Sequence, residues 1–168
     1  MTTRIEFEQW VPAEIGRVFA FFANPKNLPR IMPPEAETRL ENITLVPSVK
    51  NGTSNLGSFA GAGSEIVTSF RLLPFFPFRT HWTAVITEFE WNHSFSDLQK
   101  SGPFRSFHHR HEFQSQMREG RNGTIVRDIL QYDLGFGFLG ACAEKLFVAR
   151  QLRHIFNHRQ AALLKLLG

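Results

Sequence analysis

Hydrophobic and polar positions change period twice along the chain, and the changes divide it into three stretches. In the first, Ile5 and Phe7 alternate with Arg4, Glu6 and Glu8, the period of a half-buried strand. Pro12 then precedes Ile15, Val18, Phe19 and Phe22 at helical spacing, and Asn24-Pro25 supplies the stop. A second short helix is expected over residues 25–31, ending before Pro33-Pro34. The middle stretch predicts strands only, over residues 37–46, 65–72, 79–89, 94–100, 104–117 and 124–134. Residues 51–63, rich in Gly, Ser and Asn, read as a mobile loop. The other connectors carry turn chemistry: Pro74-Phe75-Phe76-Pro77, Trp91-Asn92, Ser101-Gly102-Pro103 and Glu119-Gly120-Arg121-Asn122-Gly123. Short connectors favour antiparallel neighbours, because a parallel pair needs a long crossover.

Beyond Gly135-Phe136-Gly137 the period becomes helical. Leu139, Cys142, Leu146, Leu152, Phe156, Leu163 and Leu166 recur at threes and fours, with one longer step. Arg150, Arg153, Arg159 and Lys165 fall mostly elsewhere on the wheel and read as a solvated basic face. A helix of roughly 28 residues would span about 42 Å, enough to cross a sheet. The order is strand, two short helices, about six strands and a long helix. It predicts an α+β domain in which the amphipathic helix covers one face of a curved antiparallel sheet. No repeat or linker interrupts it, so a single domain over residues 1–168 is expected.

Composition sharpens this picture at one point. There are eighteen phenylalanines against one tyrosine, a large apolar volume with no polar atom to satisfy. That suits either a dense core or the walls of an apolar pocket. The net charge of +4 is too mild to point to nucleic acid, and many of the basic residues fall in the C-terminal segment at solvent-facing spacing. Cys142 is the one cysteine, which excludes an internal disulfide, and its place on the apolar stripe suits a small hydrophobe. No apolar run is long enough for a membrane span or a signal peptide, so a cytoplasmic protein without stable membrane insertion is expected. Phosphate loops, dinucleotide fingerprints and serine-nucleophile elbows are missing, and no cofactor is expected.

Several segments resemble a known superfamily. They are the run from Val18 to Pro29 (VFAFFANPKNLP), Ile31-Met32-Pro33-Pro34, Ile86-Thr87-Glu88-Phe89 and Ser101-Gly102-Pro103-Phe104. To these add Phe107-His108-His109-Arg110-His111-Glu112-Phe113 and Phe147-Val148-Ala149-Arg150-Gln151-Leu152 with Ile155-Phe156. In order and over nearly the whole chain, they resemble the SRPBCC superfamily of START domains, the birch-pollen allergen and polyketide cyclases. Within it they are similar to a bacterial, ligand-binding cyclase/dehydrase-like branch. The resemblance implies the helix-grip fold, a curved antiparallel sheet of six to seven strands wrapped around the long C-terminal helix. Its members include carriers, receptors and enzymes, so it does not fix the chemistry.

The candidate chemistry lies on the strands. In residues 104–117, alternation puts Phe107, His109, His111 and Phe113 on one face, which the aromatics mark as the inner one. The same rule turns Trp82, Ala84, Ile86 and Glu88 inward on a second strand. On others it turns Phe95, Asp97 and Gln99 inward, and Val126, Asp128, Leu130 and Tyr132. Buried polar groups need partners, so His109 and His111 are expected to meet carboxylates. Three roles stay open for Asp97, His109, His111 and Asp128: a satisfied network that fixes strand register, groups that orient a ligand, or a histidine–carboxylate acid/base pair for cyclisation or dehydration. Two histidines at i, i+2 on a strand form no recognised metal signature, and no metal is expected. The expected partner is an apolar or aromatic small molecule; a module that merely docks on other proteins would have its walls packed shut.

Overall fold

A computed structural model describes residues 2–47, 49–50, 53–54, 59–71, 78–135 and 147–168. Among these residues are nine strands and three α-helices. They are β1 (Thr3–Val11), α1 (Ile15–Ala23), α2 (Leu28–Ile31), β2 (Arg39–Thr44), β3 (Val49–Lys50), β4 (Thr53–Ser54) and β5 (Glu65–Phe70). The rest are β6 (Thr80–Glu90), β7 (Ser94–Ser101), β8 (Ser106–Arg118), β9 (Arg121–Asp133) and α3 (Ala149–Leu167). Single 3₁₀ turns at Pro25–Asn27 and Pro34–Ala36 flank α2. Seven strands form one antiparallel sheet in the order β1-β9-β8-β7-β6-β5-β2, and β3 and β4 form a separate small hairpin. This is the helix-grip arrangement: a curved sheet, short helices after the first strand, and a C-terminal helix against the concave face.

Helix α3 is held to the sheet edge by Gln9 Nε2 donating to the Gln160 carbonyl (2.8 Å) and Gln160 Nε2 donating to the Glu8 carbonyl (3.2 Å). Phe7 stacks flat on Phe156 at 4.4 Å between ring centroids. The helical pattern expected from Leu139, Cys142 and Leu146 lies outside the described residues, as do Pro74–Pro77 and Phe136-Gly137-Phe138.

The phenylalanines serve both purposes that composition allows. Phe19 of α1 packs edge-on against Phe89, Phe95 and Phe113 and lies against Trp91, giving a dense aromatic core at one end of the sheet. At the other end Phe7, Phe104, Phe107 and Phe156 gather around Leu130 and Tyr132.

Three sequence expectations need correction. The turn between β8 and β9 is not five residues long. Arg118 pairs with Arg121, leaving only Glu119 and Gly120, both at positive φ, as a tight hairpin turn. Gly123 is therefore a strand residue; its hydrogen lies under Trp10, where a Cβ would come within 2.4 Å of the indole. The loop expected over residues 51–63 contains a short strand, β4 (Thr53–Ser54), and its last residues, 59–63, are a loop tied to the fold. Residues 51–52 and 55–58 lie outside the described residues, but Ala60 is buried and its N–H donates to the Ala23 carbonyl, while Gly63 N–H donates to the Ile86 carbonyl. The third concerns Arg159, which is buried rather than solvated.

Candidate functional site

Between the sheet, α1–α2 and α3 lies a cavity of about 560 Å³. Its walls are mostly apolar, with Phe22, Trp82, Phe95, Phe104, Phe107 and Phe156 supplying the aromatic surface. Trp82 stands edge-on to Phe107 at 4.7 Å and to Phe104 at 5.7 Å. The titratable lining residues are Asp97, His109, His111 and Arg159, and they lie close enough to shift one another.

Register places the first three. His109 of β8 is directly opposite Asp97 of β7, and His111 is directly opposite Asp128 of β9. Opposite residues in an antiparallel pair share a face, so the two imidazoles and two carboxylates meet on the concave side. His109 Nε2 lies 3.0 Å from Asp128 Oδ1, and His111 Nδ1 lies 2.6 Å from the same oxygen. The first contact is a hydrogen bond; the second is close but poorly aligned, and His111 Nδ1 makes no hydrogen bond. On its other side His109 presents Nδ1 to Asp97 Oδ2 at 3.7 Å, too long for a hydrogen bond. The imidazole centroids are 3.9 Å apart.

These contacts fix the protonation states. Burial pushes Asp128 up, but His111, His109 and Arg159 outweigh it and hold the carboxyl well below the usual carboxylate range. Burial lowers His109 to about 4, helped by His111 and opposed by Asp128 and Asp97. His111 is lowered too, by burial and the Arg159 charge, against the pull of Asp128. Asp97 is raised, because burial outweighs its attraction to His109 and Arg159. At neutral pH the patch thus holds an Asp128 anion and two neutral imidazoles. An ionised Asp128 can only accept, so His109 Nε2 carries the proton and Nδ1 faces Asp97 as a lone pair.

The other expected site residues fall into different places. Glu88 is not on the cavity wall. β6 carries an extra residue at Thr87 (Ile86 pairs with Asp97, Glu88 with Ser96), so alternation slips and Glu88 turns outward to Arg110 at 2.5 Å. Gln99 keeps to the inner face, opposite Ala84, but its amide clamps a turn. Nε2 donates to the Phe104 carbonyl (2.7 Å) and Oε1 accepts from the Phe104 N–H (3.3 Å). Asp128 and Tyr132 are buried behind the wall, and Phe113 belongs to the Phe19 core. Trp82, Asp97, Phe107, His109 and His111 line the cavity.

Arg159 is a charged lining residue that sequence reasoning placed in solvent. The signal was the longer step in the helix pattern: Phe156, Arg159 and Leu163 are spaced three and four apart, so the arginine stands on the apolar stripe. Its guanidinium lies 4.6 Å over the Phe156 ring.

Asp97, His109 and His111 offer donor atoms within 4.8 Å of one another, the types a divalent metal takes. Against this use, both imidazoles already face Asp128, and the fixed charge of Arg159 opposes a second cation.

The fold and cavity define a helix-grip protein with an internal apolar chamber. The chain belongs to the polyketide cyclase/dehydrase and lipid transport family, whose pattern it matches over residues 11–156. Solved structures agree in fold. A START superfamily protein from Mycobacterium smegmatis is 11% identical, with a TM-score of 0.64 over 97% of this chain and 98% of its own. A protein from Thermus thermophilus is 17% identical, TM-score 0.63, over 97% and 95%. A Thalictrum flavum norcoclaurine synthase point mutant, in complex with a transition-state analogue, is 15% identical, TM-score 0.60, over 98% and 96%. A search of curated protein sequences found no significant match. Among the described residues no helix is long and apolar enough to cross a membrane.

Proposed function

We propose that this protein binds an apolar or aromatic small molecule, lipid- or polyketide-like, in its cavity and serves as a cytoplasmic carrier or sensor for it. The observation that carries this reading is the cavity itself. Its volume of about 560 Å³ suits a small ligand, and its aromatic walls with one polar patch have the usual make-up of such sites. The whole chain acts as one domain, and its partner is the ligand rather than nucleic acid or a bilayer. In this reading Trp82 and Phe107 supply contact area, while Asp97, His109 and His111 orient the ligand.

Native mass spectrometry of freshly purified protein, followed by denaturing extraction, tests the reading. The expected result is a stoichiometric apolar passenger, or uptake of one from a panel of lipids and aromatics. An empty protein that ignores the panel overturns it. Trp82→Ala and Phe107→Ala should each weaken binding about tenfold or more, and His109→Ala by less.

A second reading, a cyclase, aromatase or dehydrase, draws on the His109–Asp128 hydrogen bond. Asp128 holds the tautomer that leaves Nδ1 free to accept a proton, and Asp97 stands beside it. A value near 4 makes His109 a weak base, suited only to already acidified protons. Turnover of an extracted passenger, lost in His109→Ala with binding retained, would favour this reading over the carrier.

A further inference from the structure

We propose that Arg159 anchors the anionic end of an amphipathic ligand, a carboxylate carried on an apolar or aromatic body. This rests on the cavity being a ligand site and specifies what enters it.

Arg159 is only 8% exposed and lines the cavity. Among the described residues it makes no hydrogen bond and no ion pair, and its Nε is sealed from solvent without a partner. The ring of Phe156 supports the plane of the guanidinium without using its N–H groups. Asp128 and Asp97 act on its charge only through space, so its buried Nε–H stays unsatisfied until an acceptor arrives.

The neighbouring acids give Arg159 no hydrogen bond: Asp128 Oδ1 accepts from His109 Nε2 and lies 2.6 Å from His111 Nδ1, and Asp97 lies beside His109 Nδ1 at 3.7 Å. Burial pushes the Asp97 carboxyl up, which weakens it as a rival acceptor. The free N–H fork of arginine matches a carboxylate in shape and charge. One guanidinium balances one negative charge, and the neighbouring Asp128 anion disfavours a second. The monoanionic carboxylate therefore fits better than a phosphate. Leu152, Ile155 and Phe156 on the same helix wall and Phe22 opposite would hold the apolar body.

Displacement of the neutral fluorophore N-phenyl-1-naphthylamine provides the test, with dodecanoate and dodecanol as competitors at pH 7.5. Wild-type protein should bind the fluorophore and release it at a dodecanoate concentration about tenfold or more below that of dodecanol. Arg159→Met should abolish that preference with the dodecanol value unchanged, and Arg159→Lys should keep part of it. Equal displacement by acid and alcohol in the wild type overturns the anchor while leaving the cavity reading intact. So does a preference that survives Arg159→Met or, should that variant not fold, Arg159→Gln. A wild type that binds neither fluorophore nor competitor overturns the cavity reading, and the anchor with it.

Discussion

At the scale of single residues, the polar patch makes the protein sensitive to acid. His109 titrates at about 4 in the folded state, against an ordinary histidine value of 6.5. Between these values the unfolded chain holds the proton more firmly, so stability falls as pH drops through that window. For His109 alone the full loss is about 3 kcal/mol, and His111, lowered in the same direction, adds to it. Asp128 acts at the other end: its depressed carboxyl stabilises the fold above the usual aspartate range, a gain lost only in much stronger acid. Urea unfolding at pH 7.5 and 4.5 should therefore show a clear drop, which His109→Gln reduces by removing the titrating group. Equal stability at both pH values would mean that the imidazoles are not held neutral by burial among Asp97, Asp128 and Arg159.

At the scale of elements, alternation and spacing predict faces only while the element stays regular. The run Phe107, His109, His111, Phe113 was legible because β8 keeps its phase throughout, and β9 opposite it does the same. Glu88 was not, because the bulge at Thr87 depends on how β6 pairs with β7, a relation no single strand displays. Arg159 was obscured differently. Charge suggested solvent, whereas the apolar spacing of Phe156 and Leu163 suggested burial, and packing against the cavity decided for spacing. Gly123 is a third case. Asn122-Gly123 carries turn chemistry, yet the glycine is required by the close approach of Trp10, whose Nε1 donates to the Gln116 carbonyl at 3.0 Å. Gly123→Ala must displace that ring and should cost about 1–3 kcal/mol in chemical denaturation. A neutral result would show that Trp10 moves aside freely.

At the scale of the whole molecule, the chamber lies between two packed aromatic clusters and is lined by both, by Phe22 and Phe95 of one and by Phe107 and Phe156 of the other. Atoms lining an unfilled chamber lack contacts that a ligand supplies, so occupancy should stabilise the fold by mass action. At a hundredfold excess of N-phenyl-1-naphthylamine over its Kd the gain is about 2.7 kcal/mol, or roughly 5–10 °C in Tm for a chain of this size. A melting temperature indifferent to the fluorophore would show that it does not bind the folded chain in preference to the unfolded one. The architecture itself, sheet, short helices and covering helix, was legible from period changes and turn chemistry; the chamber was expected from the family resemblance and the inward-facing polar residues, not from composition, since the phenylalanines suited a solid core equally. The pairing of β1 with β9 has a consequence for biosynthesis. Thr3 meets Tyr132 and Val11 meets Thr124, so the first strand made finds its partner only when most of the chain has left the ribosome. At roughly 5–20 residues per second that wait lasts several seconds or more, during which Ile5 and Phe7 stand uncovered on a nascent chain that chaperones can reach.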